Sequence, residues 1–190
     1  MSMQSSNEGP FSTRNIVLSG VLLAVALVLS LTGLGYFPVP NIAQQATIMH
    51  VPAIVGAVLG GPVVGLIVNL VFAFDSYTRF VAAFQWPNAI APILTLFVSR
   101  LSIGVVAWLV YKALKGINEI LALSAAGAAG ALANTAFVLG FAIAFGVLTI
   151  DVLPAVTPQI IFEAVLGAIV TVAVVAAYKR LAVGRGGSSV

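Results

Sequence analysis

The chain has 190 residues, of which 61% are hydrophobic and only 7% are charged, and its mean hydropathy is +1.17. Soluble domains carry about 45–50% apolar and about 25% charged residues, so this chain has too few charges to cover a water-facing surface. These values exclude the soluble globular, disordered and fibrous classes and predict an integral membrane protein. The absence of cysteine excludes disulfides and thiolate metal sites, and the single histidine, His50, excludes multi-histidine metal sites.

The first third of the chain contains a tail, a helix and a long loop. Residues 1–14 are polar, and we expect them to form a cytoplasmic N-terminal tail. An apolar run predicts helix 1 from about residue 15 to residue 31. Two glycines and two prolines in residues 32–45 then predict a loop that is longer than a simple helix hairpin needs.

Residues 46–74 are apolar apart from Gly60, Gly61 and Pro62 in the middle. One helix of that length would measure about 43 Å, which exceeds the roughly 30 Å hydrocarbon core of a bilayer. The alternative is two short helices that turn at the glycines, with Pro62 as the first residue of the second helix.

The rest of the chain predicts three more helices. A second aromatic-rich loop is expected at residues 75–86. The helices, separated by short polar turns, are then expected at 87–114, 120–148 and 155–178. A basic C-terminal tail, residues 179–190, completes the chain.

The distribution of basic residues distinguishes five helices from six. With six helices and a cytoplasmic N-terminus, only Arg79 lies outside, whereas six basic residues face the cytoplasm: Arg14, Lys112, Lys115, Lys179, Arg180 and Arg185. Fusing residues 46–74 into one span weakens this asymmetry to two basic residues inside and five outside, or five and two if the whole protein is inverted. The positive-inside rule therefore predicts an all-α bundle of six transmembrane helices over residues 15–178, with both termini in the cytoplasm.

Three polar residues interrupt the predicted spans at similar depth on consecutive helices. Arg100 lies near the middle of helix 4, Asn134 lies midway along helix 5, and Glu163 lies about nine residues into helix 6. Polar residues inside a membrane are costly and often mark a substrate pathway. We expect either a ligand site that uses these residues or an Arg100–Glu163 ion pair that holds helices 4 and 6 together.

Five further residues are candidate ligand contacts near the predicted outer loops: His50, Trp86, Asn88, Asn41 and Arg79. Each also has a structural interpretation. The histidine can be a buried structural donor, the tryptophan can be an interfacial anchor, and Asn41 can simply be solvated. Arg79 follows Asp75 by four residues, so the two can pair with each other.

Several functional classes lack their motifs. The chain contains no G-x-S-x-G nucleophile motif, no H-E-x-x-H zinc motif and no GxxxxGK[ST] phosphate loop. It also has no repeated filter sequence or charged ring of the kind that channels use. We therefore expect no catalytic activity, no metal, no cofactor and no ATP hydrolysis in this chain, and no nucleic-acid partner.

Four segments resemble the substrate-binding S components of energy-coupling-factor vitamin transporters. TIMHVPAIVGAVLGGPVVGLIVNLVFAF (47–74) is similar to their helices 2 and 3, and NAIAPILTLFVSRLSIGVVAWLVYKAL (88–114) to their helix 4. GAAGALANTAFVLGFAIAFG (127–146) and FEAVLGAIV (162–170) resemble their helices 5 and 6. The likeness covers nearly the whole chain in size, helix order and loop positions.

The resemblance implies a vitamin-binding subunit in a prokaryotic plasma membrane. Such proteins bind a vitamin or precursor on the outer side, with the first long loop as a lid. They associate with a transmembrane coupling subunit and two cytoplasmic ATPases, within the lipid bilayer. The coupling subunit commonly docks on an Ala-x-x-x-Ala motif of helix 1, to which Gly20 and Ala24 correspond here with one change.

Arg100 favours a ligand that carries a carboxylate or another acceptor. Among vitamins this indicates pantothenate or a folate-type molecule, and we favour pantothenate. The alternative is a small membrane scaffold or assembly subunit without a ligand, in which the polar residues only hold the helices together.

Overall fold

The computed structural model describes residues 9, 11–39 and 45–185. Six helices and one two-stranded antiparallel sheet form within this part of the chain. The helices are α1 (Thr13–Thr32), α2 (Val51–Gly60), α3 (Pro62–Phe80), α4 (Ile90–Leu114), α5 (Glu119–Ala144) and α6 (Leu153–Arg185). The strands are β1 (Tyr36–Pro38) and β2 (Gln45–Thr47), which pair as a hairpin.

Five of these helices are long and apolar enough to cross a membrane, and α2 is the exception. Its ten residues span only about 15 Å, roughly half of a hydrocarbon core. The predicted number of helices is confirmed, but α2 is too short to be a transmembrane helix by itself. It begins at Val51 rather than near residue 46, because the preceding residues form β2 and a short turn at residues 48–50.

The segment before α2, which comprises β2 and the following turn, is mostly buried, and its backbone forms hydrogen bonds inside the protein. The Thr47 N–H donates to Glu163 Oε1 at 2.9 Å, and the Ile48 N–H donates to the Gly35 carbonyl at 2.9 Å. The Met49 N–H donates to Thr47 Oγ1 at 3.0 Å. Non-helical backbone inside a membrane protein requires such partners, because lipid offers none.

The turn between α2 and α3 lies where the sequence predicts it. Gly61 has φ +92°, a left-handed conformation that favours glycine, and Pro62 is the first residue of α3. Proline has no N–H to leave unsatisfied at that position. The prediction that residues 46–74 divide at this point is confirmed.

Two helices extend beyond their predicted ends. Residues from 75 onward were expected to form a loop, but α3 continues to Phe80, because Arg79 Nε pairs with Asp75 one turn earlier at 2.9 Å. Helix α6 continues past residue 178 into the segment expected to be a tail. Lys179 belongs to this helix and binds Glu119 and the Tyr111 hydroxyl.

Glycines allow two pairs of antiparallel helices to approach closely. Helices α3 and α4 meet at Gly65 and Gly104, where a Cβ on Gly104 would lie 3.0 Å from the Cα of Gly65. Helices α5 and α6 meet at Gly127 and Gly167, where a Cβ on Gly167 would lie 2.9 Å from the Gly127 carbonyl oxygen. Any larger side chain at these positions would push the helices apart.

The described chain starts and ends at the same end of the bundle, which we call the tail end. Asn15 Nδ2 of α1 donates to the Gly60 carbonyl at 3.3 Å, which places the start of α1 beside the α2–α3 turn. Lys179 of α6 binds Glu119, the first residue of α5. The β1–β2 hairpin lies at the opposite end, which we call the hairpin end. Which end faces the cytoplasm stays a prediction.

Helix α1 turns one face, which carries most of its polar residues, toward the bundle and directs most of its apolar residues outward. Its buried positions are Asn15, Ser19, Leu22, Ala26 and Ser30. Gly20 and Ala24 are exposed, and no atom lies within 4 Å of the position where a Gly20 Cβ would be. This arrangement leaves a smooth apolar face for lipid or for another membrane protein.

Candidate functional site

A cavity of about 410 Å³ opens among the hairpin, α3, α4, α5 and α6. Its size falls within the range of about 300–1,000 Å³ that is typical of small-molecule sites. Most lining side chains are aromatic or aliphatic. The polar lining residues are Tyr36, Gln45, Thr47, Ser76, Arg100, Asn134, Thr135, Gln159 and Glu163.

Arg100 is held in the cavity wall by neutral partners. Its Nε donates to Ser76 Oγ at 3.0 Å, and its Nη1 donates to Asn134 Oδ1 at 2.6 Å. The guanidinium carbon lies 4.7 Å from the centre of the Phe72 ring, which adds a cation–π contact. The guanidinium is therefore fixed in position, but no described carboxylate neutralises it within 4.0 Å.

The backbone around Arg100 departs from regular α-helix and accepts a hydrogen bond from a side chain of another helix. A π-helical turn, Ile93–Val98, ends two residues before Arg100 within α4. The side chain of Asn69, which is fully buried on α3, donates from Nδ2 to the Arg100 carbonyl oxygen. π-Helical turns are rare and occur frequently at functional sites. Together these features set the direction in which Arg100 leaves α4.

Glu163 lies on a different wall and is only 2% exposed. Its Oε1 accepts the Thr47 N–H at 2.9 Å and a hydrogen bond from Gln159 Nε2 at 3.0 Å. Glu163 and Arg100 both line the cavity without forming an ion pair within 4.0 Å. The alternative in which these two residues hold helices 4 and 6 together as a direct ion pair therefore finds no support in this structure.

A second polar cluster fastens the hairpin to α1 and α3. Asp75 accepts hydrogen bonds from Ser30 Oγ, at 2.5 Å, and from the Tyr36 hydroxyl. Arg79 pairs with Asp75, and its guanidinium carbon lies 4.8 Å from the centre of the Tyr36 ring. Burial, with the adjacent Asp75 carboxylate, raises the pKa of Tyr36, so this phenol stays protonated and donates. Tyr36 thereby brings this cluster to the edge of the cavity.

The structure brings Arg100, Asn134 and Glu163 to one cavity, as the sequence suggests, but gives other candidates different contacts. Arg79 binds Asp75 and the Ser30 carbonyl, at 3.0 Å, and does not line the cavity. This is the pairing with Asp75 that the four-residue spacing predicts.

His50, Trp86 and Asn88 also lie outside the cavity lining. The His50 ring is completely buried, and neither of its nitrogens has a hydrogen-bond partner among the described residues. Trp86 Nε1 donates to the Val81 carbonyl at 2.7 Å, and Asn88 Oδ1 accepts the Ile90 and Ala91 N–H groups at 3.0 Å. The expectation of ligand contact finds no support at these three residues, and Asn41 lies outside the described residues.

Several cavity residues escaped the sequence analysis. Gln159 precedes Glu163 by one helical turn, so the two polar residues share a face of an otherwise apolar helix, and this spacing could have revealed it. Ser76 was not identified because residues 75–86 were expected to form a loop. Tyr36 and Phe72 carry no sequence signal that separates them from other aromatic residues.

The cavity offers recognition rather than covalent chemistry. Its described lining presents one guanidinium, one carboxylate and several amides and hydroxyls, which are held by helices and by the β1–β2 hairpin. Within the described residues, no group of three or more His, Asp or Glu side chains could hold a metal ion. Such a polar set in an apolar cavity is suited to orienting a small molecule.

Comparison with known proteins identifies the family of the chain. The family model described as ECF transporter, substrate-specific component, matches residues 14–176. No curated protein matches the chain. Members of the matched family are helical membrane subunits that bind a small-molecule substrate and associate with an energy-coupling module. Because the match covers most of the 190 residues, this chain belongs to the family of substrate-specific components of energy-coupling-factor (ECF) transporters.

Proposed function

We propose that the chain is the high-affinity binding subunit of a vitamin uptake transporter, and that the described cavity is its substrate site. The observation that carries this proposal is Arg100, which lies in the cavity wall with neutral partners and no bound carboxylate. A substrate carboxylate would supply the missing negative charge.

The energetics of the guanidinium support this assignment. An arginine near the middle of a bilayer costs about 2.5–3.5 kcal/mol on insertion scales. Ser76, Asn134 and the Phe72 ring offset part of that cost without cancelling the charge. A carboxylate can accept two parallel hydrogen bonds from a guanidinium, which adds strength and direction. Pantothenate, which carries a carboxylate, is our leading candidate, and a folate-type molecule is the next.

The family and the exposed surface of α1 support a proposal for the partners and for the orientation. We propose that a transmembrane coupling subunit docks on the exposed face around Gly20 and Ala24, and that two ATPases supply the energy. The hairpin end would face outward, with the first loop as a lid, and both termini would face the cytoplasm of a prokaryotic cell. The small exposed side chains at these two positions permit close helix contact.

A thermal-unfolding screen against vitamins tests the proposal. A compound present at one hundred times its Kd stabilises the folded state by about 2.7 kcal/mol, which is readily measured. We expect pantothenate to raise the Tm of the purified protein. Pantothenol, which replaces the carboxylate by an alcohol, is the matched control and should have a much smaller effect. A scaffold without a ligand, the competing function, predicts no shift with any vitamin.

A further inference from the structure

The two charged side chains of the cavity each leave one polar atom without a partner. Arg100 uses Nε and Nη1 for Ser76 and Asn134, and no described residue accepts a hydrogen bond from its Nη2. Both hydrogen bonds to Glu163 end on Oε1, so Oε2 has no donor among the described residues. The cavity therefore presents an available donor on the α4 wall and an available acceptor on the α6 wall.

These two atoms do not satisfy each other. The charged groups of Arg100 and Glu163 form no contact within 4.0 Å, although both side chains line the same cavity. The rest of the lining is mainly apolar and includes Phe80, Leu96, Val138 and Ile160. An unpaired carboxylate oxygen in such surroundings binds a donor strongly and repels another acceptor.

We propose that the substrate is recognised at two ends. One end carries a carboxylate or comparable acceptor for the Arg100 guanidinium, and the other carries a hydroxyl, amide or amine donor for Glu163 Oε2. An apolar body joins the two ends. This inference rests on the proposed function, because it assigns the chemistry of the molecule that occupies the same cavity.

Glu163 also connects the donor end of the substrate to the hairpin. Its Oε1 accepts the N–H of Thr47, the last residue of β2, while Oε2 remains for the substrate. A substrate with only an anionic group would leave Oε2 unsatisfied and would bring a second negative charge near it. Purely anionic compounds are therefore excluded as good substrates.

The Glu163→Gln variant tests the donor end. The side-chain carbonyl oxygen of the glutamine can keep the hydrogen bonds from Thr47 and Gln159. Its NH₂ group then faces the substrate, so the donor of the substrate lies opposite a second donor instead of an acceptor. The panel contains pantothenate, folate, pyridoxine, biotin and 4-aminobenzoate, and calorimetry uses whichever of these raises the wild-type Tm most. We expect Glu163→Gln to bind that compound about tenfold to a hundredfold more weakly. Glu119→Gln makes the same change at the tail end and should leave the affinity unaltered.

A matched pair of benzoates separates a recognition role of Glu163 from a structural one. 4-Aminobenzoate and 4-methylbenzoate have the same shape and carboxylate, but only the first has a donor at the far end. 4-Aminobenzoate should displace the bound panel compound from the wild-type protein more readily than 4-methylbenzoate does. The Glu163→Gln variant should lose this preference. The Tm of each unliganded variant establishes that it is folded, and Glu163→Asp, which keeps the charge, should weaken binding less.

The outcomes distinguish the two proposals. If no panel compound binds the wild type, the proposed function fails, and the two-ended recognition fails with it. If a compound binds and Glu163→Gln retains wild-type affinity, or if wild type does not discriminate between the benzoates, only the two-ended recognition is refuted.

Discussion

Replacing Arg100 by lysine tests the central claim about the cavity, because lysine preserves the charge but changes its shape. The guanidinium makes directed bonds to Ser76 and Asn134 and still has Nη2 available. An ammonium group has three donors around one nitrogen and lacks the planar fork that matches a carboxylate. It cannot keep both protein partners and also bind a carboxylate through two parallel bonds.

The loss can be estimated from the bonds that the variant cannot make. Hydrogen bonds to charged groups contribute about 1.5–3 kcal/mol each, and the lysine variant makes at least one fewer of these bonds with the substrate. Since about 1.4 kcal/mol corresponds to a factor of ten, Arg100→Lys should raise Kd roughly tenfold to more than a hundredfold. Calorimetric titration of the folded protein, with the vitamin that stabilises wild type most, measures this ratio.

Two results would refute the reasoning about Arg100. Wild-type affinity in Arg100→Lys would show that the guanidinium does not bind the substrate. A lower Tm with unchanged affinity in the folded fraction would assign Arg100 to the packing of α3, α4 and α5 alone. Lys112→Arg, the reverse exchange near the tail end of α4, is a suitable control for nonspecific effects of such a change.

Three further predictions address the fold, the partner and the orientation. Gly127→Leu should destabilise the bundle by about 1–3 kcal/mol or more, because the side chain would meet the backbone of α6; an unchanged Tm would contradict this contact. Replacing Gly20 and Ala24 together by leucine should abolish co-purification with the coupling subunit and leave substrate affinity intact, whereas lost affinity would place them in internal packing. In a chain without native cysteine, Ser5→Cys should react with impermeant thiol reagents only from the cytoplasmic side and Gln85→Cys only from outside; the reverse would invert the topology.

The sequence predicts features that depend on local chemistry. The break at Gly61 and Pro62 follows from backbone conformation and from the missing proline N–H, so it could be placed from the residue types alone. The contact between Arg100 and Asn134 could be predicted because charged and amide groups inside a membrane require partners at similar depth. Their depths on successive helices follow from the helical rise.

Features that depend on tertiary contacts could not be predicted in this way. The β1–β2 hairpin and the buried segment after it form because Glu163, more than one hundred residues away, accepts the Thr47 N–H. The close crossing of Gly127 and Gly167 involves two helices. Gly127 and Ala131 form a small-residue pair within α5, but their spacing does not show that the partner is Gly167. Local spacing identifies residues that permit contact, but it does not identify the partner.

The separation of Arg100 from Glu163 is the strongest argument for a substrate site over a scaffold. In a scaffold, two opposite charges buried in the same apolar cavity would be more stable in direct contact than apart, because their attraction offsets part of the desolvation cost of each charge. Here each charge is instead held by neutral groups, an amide and a hydroxyl for the guanidinium, and an N–H and an amide for the carboxylate. These partners fix position without neutralising charge. A substrate that enters such a cavity does not have to break an ion pair before it can bind, and it gains the interactions that the empty protein leaves unmade.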